Sequence, residues 1–99
     1  MISIITTTLP SQKEAIKISK KMLQDELIAC SHAHKVISQY IWKDKYCEEK
    51  EWELVVKTSL DKRQQVVKFI KKHHPYEIPY IASVEVAVNN SYNKWIEAP

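Results

Sequence analysis

Residues 29–59 read ACSHAHKVISQYIWKDKYCEEKEWELVVKTS. From Ala29 to about Trp42 the chain alternates, with Val36, Ser38, Tyr40 and Trp42 on one side of an extended backbone and Ile37, Gln39 and Ile41 on the other. From about Glu49 to Ser59, Trp52, Leu54, Val56 and Thr58 alternate with Glu51, Glu53, Val55 and Lys57. Lys43-Asp44-Lys45 lies between them as the turn. The stretch is therefore predicted to be a hairpin with arms of more than about 10 residues, each residue advancing roughly 3.3 Å. Arms of that length overhang a small domain, and association through the hairpin and the sheet edge is the economical way to cover them.

On the N-terminal side, Ile2 to Thr8 is β-branched and aliphatic, a strand that Pro10 ends. Ser11 and Glu14 form a Ser-x-x-Glu capping box ahead of a helix. Its apolar stripe is Ala15, Ile18, Met22 and Leu23, and Lys13, Lys17, Lys20 and Lys21 take the other side. On the C-terminal side, Asp61 and Gln64 resemble a second capping pair, followed by Val66, Val67, Phe69 and Ile70 as the buried stripe of a helix. That helix is predicted to end at His73-His74-Pro75, with Pro79 restarting the chain as strand Tyr80 to Val88 and Ser91 to Glu97 forming a short terminal helix. The order is the α+β, ferredoxin-like βαββαβ arrangement with helices on one face of the sheet.

A chain of 99 residues is expected to form one domain, residues 1–99, because two independent cores need more side chains. With no glycine, left-handed turn positions are expected at Asn89, Asn90 or Asp44, giving fairly rigid loops. The net charge of +3 comes from lysines scattered among acids, which argues against nucleic-acid binding. No apolar run approaches the roughly 20 residues of a membrane span, and Met1 to Leu9 lacks the pattern of a signal peptide. Two cysteines, Cys30 and Cys47, are too few for a disulfide framework, so a reducing, cytoplasmic setting is expected.

Seven ordered segments resemble the CutA divalent-ion tolerance family, and they cover nearly the whole chain. They are Ile4 to Pro10, Ala29-Cys30, Ser38-x-Tyr40-x-Trp42, Glu51 onward, Lys57-Thr58, His73-His74-Pro75-Tyr76-Glu77-Ile78-Pro79 and Tyr92-x-x-Trp95. The sharpest is the His-Pro-Tyr-Glu segment after the second helix. The resemblance implies a homotrimer in which subunits bury the long hairpin by strand augmentation, and a part in the response to divalent metal ions. Two departures stand out. The family's mid-strand Pro-Gly is replaced by an unbroken His34-Lys35-Val36, and the first-strand cysteine implicated in copper binding in some members corresponds to Thr7, a harder and weaker ligand.

Imidazole nitrogen suits copper, zinc and nickel, so His73 and His74 are candidate ligands. Adjacent on a helix end, they point about 100 degrees apart and need a further donor from another strand or subunit. The competing reading is that His74 hydrogen-bonds the last carbonyls of its own helix. Cys30, His32 and His34 share one strand face, but at roughly 7 Å between neighbours three short ligands reach one ion only across a kink. Cys30 as a small buried hydrophobe, with surface histidines, is the alternative. The resemblance also suggests a cleft between subunits lined by Tyr40, Trp42, Glu51, Lys57, His74, Tyr76 and Glu77, suited to a small anionic or aromatic molecule or a protein partner. Alternatively, Glu51 and Lys57 are interface ion pairs and the aromatics fill the trimer contact. No phosphate loop, serine-nucleophile motif or His-Glu-x-x-His is present, so no enzyme and no organic cofactor are expected.

Overall fold

Ser11 starts the first helix as the capping box predicts, its hydroxyl accepting the Glu14 N–H at 3.2 Å from an extended backbone. The structure is a computed structural model that describes residues 1–98. Its elements are β1 (Ile2–Leu9), α1 (Gln12–Gln24), β2 (Cys30–Trp42), β3 (Lys45–Ser59), α2 (Arg63–His73), β4 (Ile81–Val86) and α3 (Asn90–Glu97). The sheet runs β2-β3-β1-β4, and each neighbouring pair is antiparallel. This is the expected split βαβ order.

Register assigns the two faces. Ile5 opposes Val56 and Thr7 opposes Leu54, and these side chains with Leu9 meet Ala15, Ile18 and Met22 of α1 and Val66 and Ile70 of α2. Each large member of this core contributes about 1.5–3 kcal/mol by leaving water. Leu23, expected in the stripe, is 40% exposed, because Met22 takes the core position and its neighbour 100 degrees round the helix cannot. Val67 and Phe69 are half-buried at the edge of the same cluster.

Two local expectations differ. Asp61 does not cap α2: Leu60–Lys62 forms a 3-10 turn that feeds directly into the helix, so the chain is already helical at Asp61. Of the expected left-handed positions Asp44 is one, at φ 64, whereas Asn89 sits at φ −62 as the residue before α3; Glu26 and Lys43 are left-handed without having been expected. Glu26 reverses the chain after α1, where the Leu27 N–H reaches the Met22 carbonyl at 2.9 Å and the Glu26 N–H reaches that of Leu23 at 3.1 Å.

The hairpin is longer than the sequence predicts, since β3 begins at Lys45 rather than near Glu49. Trp42 pairs with Lys45, leaving Lys43 and Asp44 as a two-residue turn with φ 51 and 64, the left-handed pair that matches strand twist. Pairing holds one register from Cys30↔Lys57 to Trp42↔Lys45, so no bulge interrupts His34-Lys35-Val36. β1 ends at Leu9 opposite Trp52, and everything beyond that pair projects past the rest of the sheet. The molecule measures 46 × 25 × 21 Å as a result. On the projecting ribbon Ile37 is 65% and Ile41 68% exposed, with the exposed Tyr46 on their side and the exposed Trp42 on the other.

Candidate functional site

Pro75 forces its predecessor out of helical backbone, so His74 ends α2 in an extended conformation and turns toward the end of β1. There Nε2 lies 2.9 Å from the Thr8 carbonyl and 3.1 Å from the Thr7 hydroxyl. Nδ1 accepts the Tyr76 N–H at 3.1 Å. An N–H can only donate, so Nδ1 carries the lone pair and Nε2 the hydrogen, which it gives to Thr8. The ring is neutral. Burial lowers its pKa, against opposing contributions from the Thr8 hydrogen bond and the Glu51 charge.

The loop so pinned places Tyr76 against His74, ring centroids 5.0 Å apart, and delivers its hydroxyl to Glu51 Oε2 at 2.6 Å. Glu51 is only 7% exposed although it stands where the hairpin leaves the sheet. A charged carboxylate there is held by a short, charge-assisted bond. Desolvation and that carboxylate push the Tyr76 phenol well above its usual range. One step along the ribbon, hydrogen bonding to Glu49 pushes Tyr40 up to about 12. Both phenols therefore stay protonated donors at neutral pH.

Because the folded state disfavours protonating His74, its folded pKa lies below the unfolded value of about 6.5. The unfolded chain binds the proton more readily, so this contribution is complete above that value and is lost as pH falls below it. Denaturant titrations at pH 7.5 and 5.5 should show lower stability at 5.5. The drop should be smaller in a His74→Phe variant, and equal drops would exclude His74 as the cause.

Of the residues expected in one cleft between subunits, a single chain by itself brings together His74, Tyr76 and Glu51, with Tyr40 close by through Glu49. It does not bring Lys57 there. Lys57 is six positions further along β3, roughly 20 Å of strand, and its ammonium lies 5.6 Å from the Tyr92 ring centre on α3. No ion pair joins Glu51 to Lys57 within the subunit. Trp42 is at the ribbon tip under Lys43, and Glu77 is exposed. Glu49 and Glu51 beside both phenols make this wall unfavourable to an anion. Thr8 and Glu49 were not legible as partners, since each is joined to its neighbour only by strand pairing or by the returning loop.

The metal candidates do not form a site within one chain. Both His74 nitrogens are committed, His73 is exposed with its ring 4.3 Å from that of Phe69, and Cys30 is half-buried at the far end of β2. His34 does find a carboxylate, Nε2 to Glu53 Oε1 at 3.1 Å, on the sheet face away from α1 and α2. Among the described residues no three His, Cys, Asp or Glu side chains converge on one point. Thr7, where some relatives are expected to carry a cysteine, presents its hydroxyl to His74 instead. No helix among the described residues is long and apolar enough to cross a membrane.

Residues 3–99, which include the hairpin and the His74 loop, match the family model described as CutA1 divalent ion tolerance protein. The divalent-cation tolerance protein CutA of Thermotoga maritima is 34% identical over 94 residues, covering 94% of this chain and 93% of that protein. Its Pyrococcus horikoshii counterpart is 36% identical over 94 residues, covering 94% of this chain and 92% of that protein. The solved periplasmic divalent cation tolerance protein CutA of Archaeoglobus fulgidus superposes with a TM-score of 0.92 at 30% identity, covering 97% of this chain and 95% of that one.

Proposed function

Because this chain belongs to the CutA1 divalent ion tolerance family, we propose that it acts as a non-enzymatic homotrimer in the response to divalent transition-metal ions, copper among them. The observation that carries the trimer is the ribbon beyond Trp52, paired only with itself and exposing Ile37 and Ile41 at its sides. A two-stranded ribbon is marginal alone in water, and a neighbouring subunit supplies what it lacks. Metal is bound at the seams, because no single subunit gathers three donors among its described residues. An imidazole or carboxylate from each of two or three subunits completes the set that one chain leaves short. The cytoplasm suits the two free thiols, Cys30 and Cys47, which a reducing compartment maintains.

Calorimetric titration with copper(II) and zinc(II) tests the seam reading. The assembled protein should bind saturably, and an Ile41→Asp variant that no longer assembles should lose that binding. Equal affinity in both would place the donors inside one subunit and end this reading.

A further inference from the structure

On the side of the molecule away from the open sheet face, α1 and α2 enclose a groove of about 510 Å³ that the metal and trimer readings leave unused. Its α1 wall is Glu14, Lys17, Ile18, Lys21 and Gln24, a stripe at steps of three and four residues, with Lys20 joining at the rim. Its α2 wall is Phe69 and His73, one turn apart, whose rings lie 4.3 Å apart at 37 degrees. The volume is that of a small-molecule site. The lining is mostly apolar, with Phe69 its main aromatic member and Lys17, Lys20 and Lys21 its cations.

The charges are not internally matched. Lys21 is paired with Asp25 at 3.3 Å, whereas Lys17 and Lys20 have no carboxylate within ion-pair distance among the described residues. Glu14 is the single acid in the lining, against three lysines. A wall of two aromatic rings tilted 37 degrees to each other, a mostly apolar lining and two unpaired ammonium groups on the α1 wall are complementary to one chemical class.

We propose that the α1–α2 groove binds a small aromatic carboxylate, its ring against Phe69 and His73 and its charge between Lys17 and Lys20. The site uses neither the hairpin nor the His74 hydrogen bonds, so it stands or falls separately from the trimer and from metal binding. It also gives His73 a part that needs no metal, as one leaf of the aromatic wall. The Glu14 carboxylate sets an upper limit on ligand charge, favouring a monoanion over a polyphosphate.

The test is a two-dimensional amide NMR titration of the intact protein with 2-naphthoate, with neutral 2-naphthalenemethanol and non-aromatic cyclohexanecarboxylate as comparators. Shifts should concentrate in residues 14–24 and 69–73, and both comparators should bind more weakly. A Lys17→Gln, Lys20→Gln double variant, altered only at exposed positions, should keep its melting temperature and weaken naphthoate roughly tenfold. Phe69→Leu should also weaken it. Shifts centred elsewhere, equal binding of the neutral comparator, unchanged affinity in the double-lysine variant, or no shifts at millimolar naphthoate would each overturn the proposal.

Discussion

A His74→Phe substitution should lower folding stability by about 2–4 kcal/mol while leaving the sheet and the helical core in place. Phenylalanine keeps the ring's volume, so what is lost is hydrogen bonding and not packing. The imidazole accepts the Tyr76 N–H at 3.1 Å and donates to the Thr8 carbonyl at 2.9 Å, with the fully buried Thr7 hydroxyl 3.1 Å away. Each net bond is worth about 1 kcal/mol, and each buried group left without a partner adds a desolvation cost of about 1–3 kcal/mol. The damage also spreads. Once Tyr76 is no longer tethered, its hydroxyl leaves Glu51, a carboxylate 7% exposed with a 2.6 Å partner to lose. Denaturation at fixed protomer concentration, combined with hydrogen exchange at the Tyr76 amide, measures both steps. A Thr7→Val variant is the control, since His74 keeps its Thr8 bond there and the loss should be much smaller. Stability within about 0.5 kcal/mol of wild type, with the Tyr76 amide still protected, would show that the loop does not depend on this ring.

The same residue shows where sequence reasoning reaches its limit. Pro75 announced that α2 stops at the double histidine, because the residue before a proline avoids helical backbone, and the structure ends the helix at His73. What Pro75 could not announce is the direction of the released ring. A histidine at a helix end suggests capping of its own helix, yet His74 bonds the Thr8 carbonyl of β1, 66 residues away in sequence. The hairpin was legible for the opposite reason. Alternation with period two is a local property, so Val36 through Trp42 and Trp52 through Thr58 sorted themselves onto faces before any contact was known. Even there the start of β3 was missed, since Lys45 to Glu48 has no apolar alternation and pairs only because Gln39 to Trp42 lies opposite. Glu26 makes a similar point about turns. Among residues other than glycine asparagine tolerates positive φ best, but α1 must reverse immediately after Asp25 for Leu27 and Ile28 to reach the core, and closure imposes φ 58 on a glutamate.

Ile41→Asp should turn the proposed trimer into separate subunits at micromolar concentration without unfolding them. Ile41 is 68% exposed within one chain and absent from the core, so a carboxylate there does not disturb the monomer. Its cross-strand partner is Tyr46, whose hydroxyl is held by Gln39 at 2.7 Å and by Glu48 at 2.7 Å, which fixes the shape of this side of the ribbon. Ile37 is four residues back on the same side with Gln39 between them, so the two isoleucines stand at the ends of a strip roughly 13 Å long. If a neighbouring subunit covers that strip, an aspartate within it is buried without a cation. The cost is on the order of 3 kcal/mol or more per seam, repeated at each seam of a closed ring. Sedimentation velocity should then show the unmodified chain near three times the subunit mass and the variant near one, with unchanged far-ultraviolet circular dichroism. Lys68→Asp, a charge reversal on the exposed side of α2, should leave assembly as it was. A variant that sediments with wild type would mean that this side of the ribbon stays in water, and the seams would have to be sought along β4 and the open face of the sheet.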